Sequence, residues 1–350
     1  MDHDLLRAES LLTQRNGRLG WKGTPALLRD AARAGLAAAD ACWTRVAPRL
    51  VPDAPTLVVL ALHALCRTRA EVHDPHLAPG QRLCIDDLRA LVAAAQESGY
   101  EFVSPEQVDR GLAADGRYAM LTFDDGYFNN ALALPLLDEF RVPAAFFVSS
   151  RHVLAGKGFW WDALHRELVR KGASRDTCRE ATREAKALPP ALIEPWLKAR
   201  FGASVLRPHG DGDRPFAPAE LAAFALHPRV HIGNHTADHA ILTQCAPAEV
   251  QAQLESCQSE LAALTGREPI AIAYPNGNHS PAVIEAARAT GLRVAFTVRP
   301  RRNAVRPGGH PELMRMGRFY FQGGGDARRA FLACRSGIVP SLFVRDLLQA

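Results

Sequence analysis

Two carboxylates stand side by side in Thr122-Phe123-Asp124-Asp125-Gly126, at the carboxyl end of an apolar run over 118–123. Neighbouring residues of an extended chain point in different directions, so one Asp can hold a cation while the other handles protons. The glycine that follows permits a tight turn. Farther along, His235-Thr236-Ala237-Asp238-His239 sets two imidazoles four residues apart, just after the apolar run 230–232. On one helical turn such a pair falls on one side, where both rings reach a single cation. With Asp125 they make a set of two histidines and one carboxylate that leaves positions open for water and substrate. Zinc suits these N and O donors, and cobalt, nickel or iron would fit as well. A third turn, Ala273-Tyr274-Pro275-Asn276-Gly277, can aim a backbone N–H at a developing oxyanion. Taken singly, these are common turn residues and a common surface pair. Their coincidence at the ends of apolar runs is what points to a metal site that does hydrolytic chemistry.

The elements that must position these residues alternate between strand and helix. Thr56 to Leu62 is a continuous apolar run of strand length, and 85–98 has helical periodicity ending at Gly99. The pattern then predicts a strand over 118–123, a helix over 130–140 and a strand over 144–148, with further strands at 230–232, 270–274 and 294–297. Pro247 marks the first turn of one helix; Ser280 and Pro281 open another, which stops at Gly291. Six or seven such repeats suggest a barrel of parallel strands. Residues 151–217 interrupt the repeat as an insertion, expected to be helical, and carry Trp160 and Trp161. Paired indoles can stack on sugar rings, although they more often fill a core. Residues 1–50 read as an Ala-rich helical extension ahead of the main domain over 51–350.

Composition narrows the class. With 350 residues, 47% hydrophobic and 23% charged, the chain can bury one large core and is not disordered. A net charge of +5 is too small at this length to imply nucleic-acid binding, although Arg299, Arg301, Arg302 and Arg306 gather closely enough to leave room for peripheral contact with an anionic glycan or membrane. Seven cysteines without a CxxC pair indicate neither a disulfide framework nor a thiolate cluster. The first eighteen residues are charged rather than apolar, so a cytoplasmic enzyme with no transmembrane segment is expected. Neither a GxSxG elbow nor an HExxH helix is present.

In order and type, the three turns resemble the motifs of the polysaccharide deacetylases of the NodB-homology type, carbohydrate esterase family 4, and in particular exopolysaccharide-type members. The likeness runs from about Leu57 to about Phe321. It implies a deformed, incomplete (β/α) barrel of about seven parallel strands and the removal of N-acetyl groups from amino sugars of a polysaccharide or glycolipid. It also implies roles: Asp124 as catalytic base, Asp125, His235 and His239 as metal ligands, and the backbone N–H of Asn276 as oxyanion donor. There are departures. The third motif commonly begins with an Arg that pairs with the catalytic Asp, and Ala273 stands there. No match to the late motif carrying the general-acid histidine is found; His63 and His310 are candidates, with water as the alternative. An O-acetyl ester or cyclic amide could be cleaved by the same groups, and a catalytically dead glycan-binding homologue would share the fold.

Overall fold

Apolar sequence without polar alternation makes strands covered on both faces, as parallel sheets require. β1 (Thr56–Leu62, TLVVLAL) is buried at every residue, and β5 (Arg117–Phe123, RYAMLTF) at every residue after Arg117. A computed structural model describes residues 55–74, 78, 82–305, 310–321 and 326–335, and six positions between 35 and 46. The extension expected over 1–50 lies outside the described residues save for those six, which are helical.

The remaining strands are β2 (Ala64–Cys66), β3 (Arg82–Cys84), β4 (Glu101–Phe102), β6 (Ala144–Val148), β7 (Val230–Asn234), β8 (Ala271–Ala273), β9 (Val294–Phe296) and β10 (Phe319–Tyr320). The main path runs β10-β1-β5-β6-β7-β8-β9, with β4 added beside β5 and β2 paired with β3 in a separate sheet. Every ladder is parallel, and β1 and β5 pair without a break from Thr56↔Arg117 to Leu62↔Phe123. β9 and β10, at the two ends of the path, do not pair; β9 instead bridges to Met316, ahead of β10, through Phe296↔Met316. The fold is therefore an incomplete, deformed (β/α) barrel of seven parallel strands.

Parallel neighbours need crossovers, and helices such as Ile85–Glu97, Pro247–Thr265 and Pro281–Ala289 supply them. The expected helix 130–140 divides in two. A 3-10 turn over Phe128–Ala133 precedes the α-helix Leu134–Phe140 because Pro135 has no N–H to give an α-helical bond. β4 and β10 were not legible, since two residues show no periodicity.

Between β6 and β7 lie the helices Ser150–Ala155, Trp160–Arg170, Arg175–Ala187 and Pro190–Phe201. The last three share an apolar cluster that includes Phe159, Leu164, Ile193 and Leu197, while Val153 of the first packs into the main core. The buried ion pair Arg166–Asp213, at 2.6 Å, anchors the return toward β7. No helix among the described residues is long and apolar enough to cross a membrane.

Between the sheet and its covering helices Phe146 stacks on Phe123 at 4.8 Å between centroids and meets Phe224 edge-on at 4.8 Å. Truncation of so enclosed a ring leaves a cavity that its neighbours cannot fill. Phe146→Ala is expected to lower stability by about 3–5 kcal/mol, read from the shift in the urea unfolding midpoint.

Candidate functional site

The carboxyl ends of β5, β7 and β8 meet at one cleft. Asp124 still belongs to the ladder, its N–H donating to the carbonyl of Leu62 at 2.9 Å. At Asp125 the chain turns into the left-handed region, with φ 78°, and Gly126 follows at 87°. A Cβ on Gly126 would meet Cγ1 of Val148 at 2.8 Å, so only glycine fits there. This turn sends the two carboxylates apart.

Asp125 faces the imidazoles. Its Oδ1 lies 3.4 Å from Nε2 of His235 and 3.4 Å from Nε2 of His239. One donor atom from each of the three residues falls within 4.8 Å of the others. At 3.4 Å neither approach is a charge-assisted hydrogen bond, which would close to about 2.7–2.9 Å. Both carboxylate oxygens of Asp125 lack a hydrogen-bond partner although the residue is 1% exposed. Such a carboxylate is costly unless a cation takes it up, and the residues fit one. Nδ1 of His235 is 2.7 Å from the carbonyl of Ala273, so that nitrogen carries the proton and the Nε2 lone pair points into the cleft. Burial lowers the His235 pKa, but the Asp125 and Asp124 carboxylates outweigh it and leave it raised, so proton and cation compete for Nε2. Burial pushes His239 down to about 3, keeping it neutral.

The segment carrying these histidines is not the helical turn that their spacing suggested. Thr236 and His239 are left-handed, with φ 61° and 55°. The Asn234 side chain accepts from Thr236 N at 2.8 Å, and Thr236 Oγ1 accepts from Ala240 N at 2.8 Å. Local side-chain bonds of this kind replace the helical ladder. Gln253 holds the same loop through the N–H groups of Ala237 and Asp238.

Asp124 meets a residue that the sequence did not reveal. Arg318, just before β10, donates Nη1 and Nη2 to the two carboxylate oxygens at 2.7 Å each. It also donates Nη1 to Thr122 Oγ1 at 3.1 Å and Nε to the carbonyl of Thr297 at 3.0 Å. The rings of Phe147 and Phe296 flank the guanidinium at about 6 Å. Burial alone would raise the Asp124 pKa; Arg318, with smaller help from His235 and His63, reverses this and holds it below the ordinary carboxylate range. The missing Arg at Ala273 is thus replaced from the other end of the sheet path. The only sequence signal was a lone Arg before an aromatic strand.

Asn276 occupies a 3-10 turn, Pro275–Gly277, with φ 57°. The turn's own bonds come from Gly277 N and Asn278 N, which leaves the N–H of Asn276 outside them. Lys186, in the last turn of the helix Arg175–Ala187, donates to Asn276 Oδ1 at 3.0 Å. Burial lowers its pKa and the Asp125 carboxylate acts in the opposite direction. No sequence pattern marked this lysine.

His63 stands beside both aspartates and Arg318, edge-on to Tyr320 at 5.1 Å, and burial lowers its pKa. His310 instead caps the 3-10 helix Pro311–Arg315 and lines a separate cavity with Arg301, Arg302 and Asn303. The tryptophans are 8% and 5% exposed, so neither offers a face to a sugar. Trp161 packs on the His239 ring at 4.6 Å and donates to Tyr127 Oη at 2.8 Å. Tyr127 donates in turn to Asp162 at 2.6 Å.

Residues 112–295, more than half of the chain, match the family model described as polysaccharide deacetylase. No curated protein matches the sequence. Among solved structures, a polysaccharide deacetylase from Bacillus cereus is similar with a TM-score of 0.54 at 17% identity, over 80% of this chain and 69% of that one. IcaB from Ammonifex degensii gives 0.53 at 18%, over 81% and 98%. The deacetylase domain of BpsB from Bordetella bronchiseptica gives 0.51 at 20%, over 78% and 98%. At these identities the likeness is one of fold.

The Arg318–Asp124 pair has a measurable consequence. Because the folded pKa of Asp124 is depressed, the stability it contributes is complete above the ordinary value of 3.8 and is lost as the pH falls below it. Arg318→Met leaves a buried carboxylate without its cation, at a cost of about 3–5 kcal/mol near neutrality. Urea unfolding of both proteins at pH 7 and pH 3 should show the difference narrowing in acid. A gap of equal size at both pH values would dissociate Arg318 from the charge of Asp124.

Proposed function

This chain belongs to the polysaccharide deacetylase family, and we propose that it is a metal-dependent hydrolase that removes N-acetyl groups from amino sugars of a polysaccharide or glycolipid. The observation that carries this reading is the buried Asp125, both oxygens unpartnered, facing the Nε2 atoms of His235 and His239 beside an aspartate held by Arg318. A divalent cation held by those three residues, zinc best suiting the donor set, would polarise the acetamide carbonyl and lower the pKa of water toward about 7.

Each neighbouring residue then has a task. Asp124 stays ionised at working pH and takes a proton from the attacking water. The Arg318 clamp weakens it as a base but fixes its direction, and a base held in place acts without the entropy cost of finding its proton. The N–H of Asn276 donates to the carbonyl oxygen as it becomes negative. His63, which burial keeps neutral at rest, takes up that proton from Asp124 and passes it to the departing amine. Water and acetamide thereby become acetate and the free amino sugar. A reducing compartment such as the cytoplasm suits the seven unpaired cysteines.

Two isosteric substitutions separate the roles of the aspartates. Asp124→Asn is expected to keep the metal and lose about 10²–10⁴ in rate, the worth of one positioned base. Asp125→Asn is expected to lose metal, with partial recovery when metal is added. Elemental analysis beside acetate release from acetylated chitooligosaccharides reads both. Metal loss in Asp124→Asn with retention in Asp125→Asn would exchange the roles, and unchanged turnover in both would remove the assignment.

A further inference from the structure

The helix Arg175–Ala187 belongs to the segment between β6 and β7, yet its last turn reaches the cleft. Its tip is tied at two places. The carbonyl of Lys186 accepts from Gln244 Nε2 at 3.3 Å, just beyond the histidine loop, and the Lys186 ammonium donates to Asn276 Oδ1 at 3.0 Å. The same ammonium is close enough to Asp125 and His239 to act on both electrostatically. A lysine therefore stands between the turn that presents the Asn276 N–H and two of the three residues that fit a cation, Asp125 and His239.

An ammonium placed beside a bound dication is repelled by it. The arrangement becomes favourable once an anion lies between them. Only one of the three ammonium donors is used on Asn276, a neutral acceptor, so others are available to an oxygen in the cleft. In the reaction proposed above, negative charge develops on the acetyl oxygen beside Asn276 and remains on the acetate product.

We propose that Lys186 is a further catalytic residue, which closes the cleft from the helical segment and donates to the acetyl oxygen in the transition state and to the carboxylate of the acetate product. This rests on the deacetylase reading for the identity of the anion, but its geometry is that of an anion contact in its own right. The loop carrying Asn276 would then supply one neutral donor, the backbone N–H, and the helix one charged donor.

Three variants of the full chain test it: Lys186→Met removes donor and charge, Lys186→Gln keeps a neutral donor but loses the charge, and Lys186→Arg keeps the charge. Elemental analysis should show equal metal in all of them. Sodium acetate is then titrated into the metal-loaded proteins by calorimetry, and kcat and KM are measured separately. We expect acetate to bind about tenfold more weakly to the Met and Gln variants, with the Arg variant near wild type. In kcat the loss of one such donor is worth on the order of 10²–10³, with KM moving little. Acetate affinity and kcat both within twofold of wild type in the Met and Gln variants, with metal intact, would overturn the proposal and leave the deacetylase reading standing. If the wild type released no acetate from any acetylated sugar while the Met variant still bound acetate more weakly, the deacetylase reading would fail and the lysine's anion contact would survive.

Discussion

A buried ion pair holds the site and the barrel together. Arg318 and Asp124 are almost inaccessible, with side chains 0% and 5% exposed. Desolvating two such charges is costly, and only a near-ideal geometry recovers the loss. Here two parallel hydrogen bonds, a hydroxyl, a carbonyl and two aromatic faces surround the guanidinium. The pair also joins parts of the sheet that the ladder does not: Arg318 precedes β10, Thr297 follows β9, and Thr122 and Asp124 belong to the end of β5. Where the strands fail to close the barrel, a polar brace crosses it.

Backbone strain is concentrated at the cleft. Among the described residues five non-glycines have positive φ; four are Asp125, Thr236, His239 and Asn276, and Arg141 lies elsewhere. Such conformations cost on the order of 1–3 kcal/mol each and persist only when their surroundings enforce them. The surroundings are visible: Gly126 packed on Val148, the Asn234 and Thr236 side chains that fold the histidine loop, and Gly277 closed against Val298. The strain turns Asp125, His235 and His239 toward one point without a regular element to carry them.

The helices between β6 and β7 work as packing as well as cover. Trp161 presses on the His239 ring while its N–H, through Tyr127, ends on Asp162. Burial raises the Asp162 carboxyl to about 7, so the far end of this chain of bonds lies near its titration point at neutrality. A sugar-stacking role for this indole gives way to a positioning one because its surface is already used.

The sequence by itself determined the strands that are long and wholly apolar, Thr56–Leu62 and Ala144–Val148 above all, because burial on both faces leaves a continuous signature. It also marked Asp124, Asp125, His235, His239 and Asn276, since paired carboxylates, spaced imidazoles and a Pro-Asn-Gly turn are local patterns. Tertiary structure alone decided how these converge. The His235 and His239 spacing is read through a left-handed loop instead of a helix, because side-chain bonds from Asn234 and Thr236 displace the helical ladder. Arg318 and Lys186 stand 194 and 90 residues from the partners they touch, Asp124 and Asn276. No window of sequence contains such contacts: a charged side chain finds its partner across a core only after the barrel has brought the strand ends together.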